Sequence, residues 1–174
     1  MRAKKPKITK SNTLYSIAKN IIPSGGQTYS KGVSQFTDGI APKYLDSGKG
    51  AYAVDVDGNK YIDYVMACQP LILGYSDPDV NKAITKQLNK GSTFSLHNKL
   101  EIDVAKLLID LVPSAEMVRF GKNGADATTI AIRLARAFTK KDEIAFCGYH
   151  GWHDWFIATT DLNSGIPKFN NHLI

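Results

Sequence analysis

The chain has 174 residues, 43% of them hydrophobic and 22% charged, with a formal charge of +6. That length suits about one ordinary domain, at roughly 150 residues each. The apolar content excludes a disordered chain and allows a buried core. No apolar run approaches the roughly 20 residues of a membrane-spanning helix, and no basic stripe with interleaved aromatics marks a nucleic-acid surface. Neither a membrane nor a nucleic acid is therefore expected as a partner. Much of the charge is local: Arg2, Lys4, Lys5, Lys7 and Lys10 crowd the start without an acid. Residues 1–10 read as a solvated basic arm in preference to an organellar transit peptide, and no apolar stretch behind them makes a secretory signal. An anionic small ligand accounts for the remaining excess. Cys68 and Cys147 stand far apart, too few for a disulfide framework, which makes a reducing cytoplasm the default location.

Leu14, Ile17, Ala18, Ile21 and Ile22 recur at helical spacing, and Pro23, Gly25 and Gly26 stop that helix. Residues 26–50 are rich in Gly, Ser, Thr and Pro and read as an irregular loop. A hairpin follows, with β-rich runs over 51–56 and 60–65 joined through Asp57-Gly58-Asn59. Asp77-Pro78 opens a second helix, carried by Val80, Ile84 and Leu88 to a stop at Gly91. A third helix is expected over residues 99–111, with Leu100, Val104, Leu107, Leu108 and Leu111 on one face and Pro113 beyond its end. Residues 117–120 read as a short buried strand, 121–125 as a tight loop, and 127–140 as a helix with Ile130, Ala131, Leu134, Ala135 and Phe138 inward. Residues 144–147 make a second short apolar strand. Strand, helix and strand in about 30 residues form a βαβ unit, which predicts two parallel strands of one sheet and an α/β fold.

Two stretches carry chemistry. Gly121-Lys122-Asn123-Gly124-Ala125-Asp126 joins a strand to a helix N-terminus. The first N–H groups of a helix lack internal partners, and the dipole there favours an anion. Gly124 removes the side chain that would keep a ligand off the backbone, so the loop suits a phosphate. The P-loop and dinucleotide fingerprints are both absent, and a ligand-free helix cap is the more common meaning of such a loop. The second strand ends in Cys147-Gly148-Tyr149-His150-Gly151-Trp152-His153-Asp154-Trp155. Ligands of open α/β sheets gather beyond the carboxyl ends of strands, which places this tract on the side of the phosphate loop. An aromatic ring beside a phosphate site serves a flat aromatic cofactor, by stacking. Cys147, His150, His153 and Asp154 are also zinc-type ligands, but no second cluster completes a site, and no metal is expected. Tyr149 and Trp152 could also simply pack the loop.

Five segments taken in order resemble the class III aminotransferases, particularly the glutamate-1-semialdehyde aminomutase group. They are residues 51–65 (AYAVDVDGNKYIDYV), 71–78 (LILGYSDP), 111–120 (LVPSAEMVRF), 123–139 (NGADATTIAIRLARAFT) and 148–154 (GYHGWHD). The resemblance implies the N-terminal part of a fold type I pyridoxal-phosphate transferase. Residues 11–75 would then form a small-domain and dimer-contact segment, and residues 76–174 the incomplete start of the large αβα domain. It implies pyridoxal 5'-phosphate as cofactor, a small-molecule amino donor and acceptor as partners, a homodimer, and transamination or amino-group migration through a Schiff base. Cofactor binding would fall to Asn123, Gly124 and Ala125 at the phosphate, Tyr149 stacked on the ring and His150 beside it. Asp126 matches the acidic residue that follows the loop. No residue here is assigned as catalytic: the Schiff-base lysine and the aspartate at the pyridine nitrogen are expected beyond residue 174, and Lys168 lacks the family's lysine context. The alternative is a truncated, non-catalytic fragment that binds cofactor or dimerises.

Three departures bear on the substrate. Asn123-Gly124-Ala125-Asp126-Ala127 stands where the aminomutases commonly read Ser-Gly-Thr-Glu-Ala, with two hydroxyls fewer. Cys68 before Gln69-Pro70 replaces a tryptophan before Gly-Pro. No arginine lies between Gly26 and Gly39 to meet a substrate carboxylate. A substrate other than glutamate semialdehyde is expected.

Overall fold

The computed structural model describes residues 5–167. Arg2 and Lys4 of the basic arm, Lys168 and the final run 171–174 lie outside the described residues. The chain divides into two compact units, Met1–Phe94 and Ser95–Ile174.

In the first unit, helix α1 (Thr9–Ile21) has no side-chain cap of its own, because Ile8 occupies the N-cap position. The hairpin turn supplies one. Asp57 accepts from the Lys10 and Ser11 N–H groups at 2.8 and 2.9 Å, which satisfies two of the orphan donors of the first turn. Ser11 is fully buried, and its Oγ accepts from the Lys43 N–H at 2.7 Å. After three short 3₁₀ turns come strands β1 (Leu45–Lys49), β2 (Tyr52–Asp55) and β3 (Lys60–Ile62), antiparallel in that order. The hairpin falls where alternation and turn chemistry predict it, with Gly58 at φ +88° in the turn. Strand β1 is a correction: the end of the expected irregular loop pairs with β2 from Leu45↔Asp55 to Lys49↔Tyr52, with a bulge after Leu45. Its sequence, LDSGK, carries no β-branched residue or clean alternation. Pairing to β2 rather than propensity makes it a strand.

Asp55, 1% exposed, is the polar centre of the hairpin. It accepts from the N–H groups of Asp57 and Asn59, the Asn59 amide at 2.8 Å and the Tyr61 hydroxyl at 3.0 Å. Burial pushes its pKa up, but the bonds from Asn59, Tyr61 and Asp57 together outweigh it and hold the carboxyl below its ordinary value. Burial and that carboxylate push Tyr61 up to about 12. Asp63 repeats the pattern. Its bond from the Tyr75 hydroxyl, 2.6 Å, leads in lowering its pKa; burial opposes, and the Val65 and Met66 N–H groups add to the lowering. Those two N–H bonds anchor a run in which Met66, Ala67, Cys68 and Gln69 all have positive φ.

Both carboxyls are depressed, so the folded unit binds fewer protons than the unfolded chain in acid. Their contribution is complete above the ordinary carboxylate value near ~3.9 and is lost as pH falls through the lowered values. Urea midpoints followed from about pH 5 to pH 2 should therefore fall, and fall less steeply in the Asp63→Asn chain. A flat profile would contradict this.

Helix α2 (Pro78–Leu88) begins as its sequence directs, with Asp77 accepting from the Asp79 and Val80 N–H groups and Pro78 at the first position. In the second unit α3 (Lys99–Leu111) starts in a capping box of Asn98 and Glu101. Helix α4 (Gly124–Thr139) starts in another, of Asn123 and Asp126, and ends where Lys140 turns left-handed at φ 59°. A single turn, α5 (Asp154–Ile157), follows.

The expected βαβ unit is not formed as a paired sheet. Residues 117–120 and 144–147 flank α4 on either side but belong to no strand, and the antiparallel β1-β2-β3 sheet is the only one among the described residues. A parallel strand exists only through hydrogen bonds to a neighbour, and neither segment has one among the described residues. The first is also not buried, since Met117 is 90% exposed. The inward face expected for α4 is open at Leu134 and Phe138, and the apolar stripe of α3 is largely exposed as well. Periodicity specifies a face but not its cover. No helix among the described residues is long and apolar enough to cross a membrane.

Candidate functional site

The capping box at the start of α4 decides which N–H groups are free. The Asp126 carboxylate accepts from the Lys122 and Asn123 N–H groups at 3.2 Å each, and Asn123 Oδ1 accepts from the Asp126 N–H at 3.0 Å. The Ala127 N–H already bonds the Asn123 carbonyl. Gly124 and Ala125 are left as the two N–H donors of the first turn without a partner among the described residues. Asn123 thus shapes the loop as a cap, with both its N–H and its side-chain oxygen engaged. A Cβ built on Gly124 would meet nothing within 4 Å, so the space over its backbone is open.

The aromatic tract lies against this helix start. Gly151, at φ +112°, passes so close to α4 that a Cβ there would stand 2.8 Å from the Ala125 Cβ and 3.0 Å from its Cα. The Thr128 hydroxyl reaches the Ala125 and His150 carbonyls at 3.0 and 2.8 Å. Its single proton therefore spans helix and tract. Thr129 Oγ1 accepts from the Trp155 indole at 2.9 Å and lies 2.7 Å from His153 Nδ1. His153 Nε2 is 3.7 Å from Asp126 Oδ1.

Phe156, 5% exposed, is the core of the tract. Its ring meets those of Phe146, Tyr149, His150 and Trp155 edge-on at centroid distances of 5.3 to 5.8 Å. His150 stacks on Trp155 and donates from Nε2 to the Cys147 carbonyl at 2.7 Å. Tyr149 is held by its edge contact with Phe156 yet is 75% exposed, which leaves a ring face available. Of the expected residues, the structure brings Gly124, Ala125 and His150 into one site and keeps Tyr149 in the same aromatic cluster. Thr128, Thr129, Phe146 and Phe156 were not anticipated. A pair of hydroxyls in a helix's first two turns, followed by an aromatic tract with polar tips, is the available signal. Cys147, His150, His153 and Asp154 do not gather: no group of three metal-ligating side chains occurs among the described residues. Both cysteines are free and exposed.

Two unpartnered N–H donors, open space over Gly124 and a rigidly backed aromatic face fit a flat cofactor with an anionic tail. The first unit holds a separate recess of about 430 Å³, lined mainly by apolar groups with Lys31 and Lys43 and with Tyr44, Tyr61, Asp63 and Tyr75. The polar tips of the last four are already hydrogen-bonded to protein groups.

Residues 37–173 match the family model of class III aminotransferases. The chain belongs to that family. It is 43% identical over 166 residues to a 3-aminobutyryl-CoA aminotransferase from Cloacimonas acidaminovorans, a match covering 95% of this chain and 39% of that protein. It is 45% identical to glutamate-1-semialdehyde 2,1-aminomutase 1 from Listeria monocytogenes, covering 84% of this chain and 34% of that one. Among solved structures, an omega-transaminase from Sphaerobacter thermophilus matches with a TM-score of 0.83 at 32% identity, over 94% of this chain and 40% of that chain. A transaminase with PLP bound matches with a TM-score of 0.80 at 31% identity, over 87% of this chain and 35% of that chain. The fold is thus that of the corresponding α/β part of these transaminases, and the chain spans between a third and two fifths of the length of the relatives it matches.

Proposed function

We propose that this chain forms the phosphate-anchoring and ring-stacking part of a pyridoxal-phosphate enzyme that transfers or migrates an amino group. The observation that carries it is the clamp of the aromatic tract across the start of α4, at Gly151 against Ala125, beside the two free N–H donors. In this reading Gly124 and Ala125 donate to the phosphate, which the helix dipole also favours. Tyr149 offers its exposed ring to stack on the cofactor, and His150 stands at the edge, its Nε2 proton already committed to the Cys147 carbonyl. Once bound, the cofactor supplies an electron sink for the carbon that carries the amino group. The residues of this chain contribute binding, orientation and one aromatic wall; none of them is assigned a proton-transfer role.

Residues 11–75 belong, on the same reading, to a small-domain and dimer-contact segment, and the cofactor domain begins at residue 76. The whole protein would act as a cytoplasmic homodimer on a small amino donor and acceptor. The similarity to a 3-aminobutyryl-CoA aminotransferase, together with Cys68 and the arginine-free 26–39 loop, supports a substrate other than glutamate-1-semialdehyde.

The test uses the protein as its source organism makes it, purified with pyridoxal phosphate and offered a panel of amines and keto acids. Loss of the donor's amino group that requires both cofactor and acceptor is expected for at least one pair; an aminomutase would instead isomerise one amino-carbonyl substrate with no added acceptor. Bound cofactor without either reaction, across the panel, would refute the enzymatic reading. Tyr149→Ala should weaken cofactor binding by about tenfold, the upper end of what one aromatic stack contributes.

A further inference from the structure

His153 lies outside the residues assigned above, yet it stands between a hydrogen-bonded pair, Trp155 and Thr129, and the Asp126 carboxylate. The Trp155 indole can only donate, so Thr129 Oγ1 accepts from it and keeps its own proton to give. His153 Nδ1 lies 2.7 Å away, and in the tautomer that accepts this proton the ring's hydrogen is on Nε2, toward Asp126 Oδ1 at 3.7 Å. The other oxygen of the same carboxylate gathers the Lys122 and Asn123 N–H groups. Asp126 and His153 are both partly shielded from solvent, with side-chain exposures of 32% and 27%.

Resting on the cofactor reading above, we propose that His153 is a positioning residue for the cofactor phosphate. It orients the Asp126 carboxylate, which holds the loop N–H groups of Lys122 and Asn123 and so leaves those of Gly124 and Ala125 to the phosphate. The wire also joins the two halves of the site, because its other end is Trp155, the ring on which His150 stacks. Without His153 the carboxylate can turn away, the loop N–H groups become competing donors, and the α4 start loses its fixed shape.

Both tryptophans of the chain, Trp152 and Trp155, lie in this tract, so their fluorescence reports ligand directly. Quenching titrations of the chain with pyridoxal phosphate and with pyridoxal separate phosphate capture from ring capture. His153→Ala should weaken pyridoxal phosphate binding roughly fivefold, the worth of about one hydrogen bond, while pyridoxal binding changes less than about twofold. Thr129→Val, which keeps the shape and removes the hydroxyl, should show the same selectivity at about half the logarithmic effect. His153→Gln, whose amide can accept at one atom and donate at the other, should recover most of the affinity. If His153→Ala does not fold by circular dichroism, the Thr129→Val and His153→Gln pair decides. Unchanged phosphate-dependent affinity, or equal weakening of both ligands, would overturn the proposal. A wild-type chain that binds neither ligand would instead overturn the cofactor reading, a result visible before any variant is made.

Discussion

Asp55→Ala is expected to destabilise the first unit by about 3–5 kcal/mol, the largest effect of any single substitution considered. Four donors converge on this carboxylate in a site only 1% exposed: two backbone N–H groups, the Asn59 amide and the Tyr61 hydroxyl. A buried donor left without its acceptor costs about 1–3 kcal/mol, and partial access to water after truncation keeps the total below the simple sum. Against a typical domain stability of about 5–15 kcal/mol, such a loss unfolds a large share of the molecules. Asp55→Asn should cost roughly half as much, since one oxygen remains to accept and the Tyr61 hydroxyl can reverse to accept from the new amide. Urea unfolding of the chain and both variants checks the series. A loss below about 1 kcal/mol for Asp55→Ala would mean that the hairpin is held by pairing alone.

The second large effect is expected in the site itself. Gly151→Ala adds a methyl group 2.8 Å from the Ala125 Cβ, at a φ of +112° that disfavours any L side chain. Left-handed backbone costs about 1–2 kcal/mol, and overpacking a fixed contact about 1–3 kcal/mol. Neither neighbour can step aside, because the Ala125 Cα is helix backbone. Relief by moving the tract off α4 would break the Thr128 bond to the His150 carbonyl as well. A stability loss of about 3 kcal/mol in the second unit is expected, with pyridoxal phosphate affinity falling more than tenfold. Adding Ala125→Gly should return part of both, by removing the methyl contact but not the strain. Equal cofactor affinity in Gly151→Ala and wild type would show that the clamp is not needed for binding.

How much of this was legible in the sequence differs by element. Asp77-Pro78 announced the start of α2 through local chemistry, whereas α4, expected from residue 127, begins at Gly124 because Asn123 and Asp126 close a capping box there. The Asp57-Gly58-Asn59 turn was equally local. Strand β1 was not, because LDSGK becomes a strand only through β2. The βαβ expectation failed in one respect for the same physical reason. Residues 117–120 and 144–147 have strand-like composition, but a parallel ladder requires neighbours that these two segments do not provide for each other. In the site, the meeting of the 121–126 loop with the aromatic tract could be read from chain order. The division of labour within the loop could not. The family resemblance put Asn123 at the phosphate, and only the bond geometry shows its N–H and Oδ1 engaged in the cap. The Thr129–His153–Asp126 wire joins residues 24 to 27 positions apart through side-chain contacts that no periodicity reports.

The most direct measurement is a titration of the isotope-labelled chain with pyridoxal phosphate, followed by amide nuclear magnetic resonance. Binding should move the Gly124 and Ala125 amide signals furthest, with smaller shifts at Tyr149 and His150, while the Lys122 and Asn123 amides, held by Asp126, move little. Saturable binding that leaves Gly124 and Ala125 unmoved, or that shifts only residues of the first unit, would contradict the account.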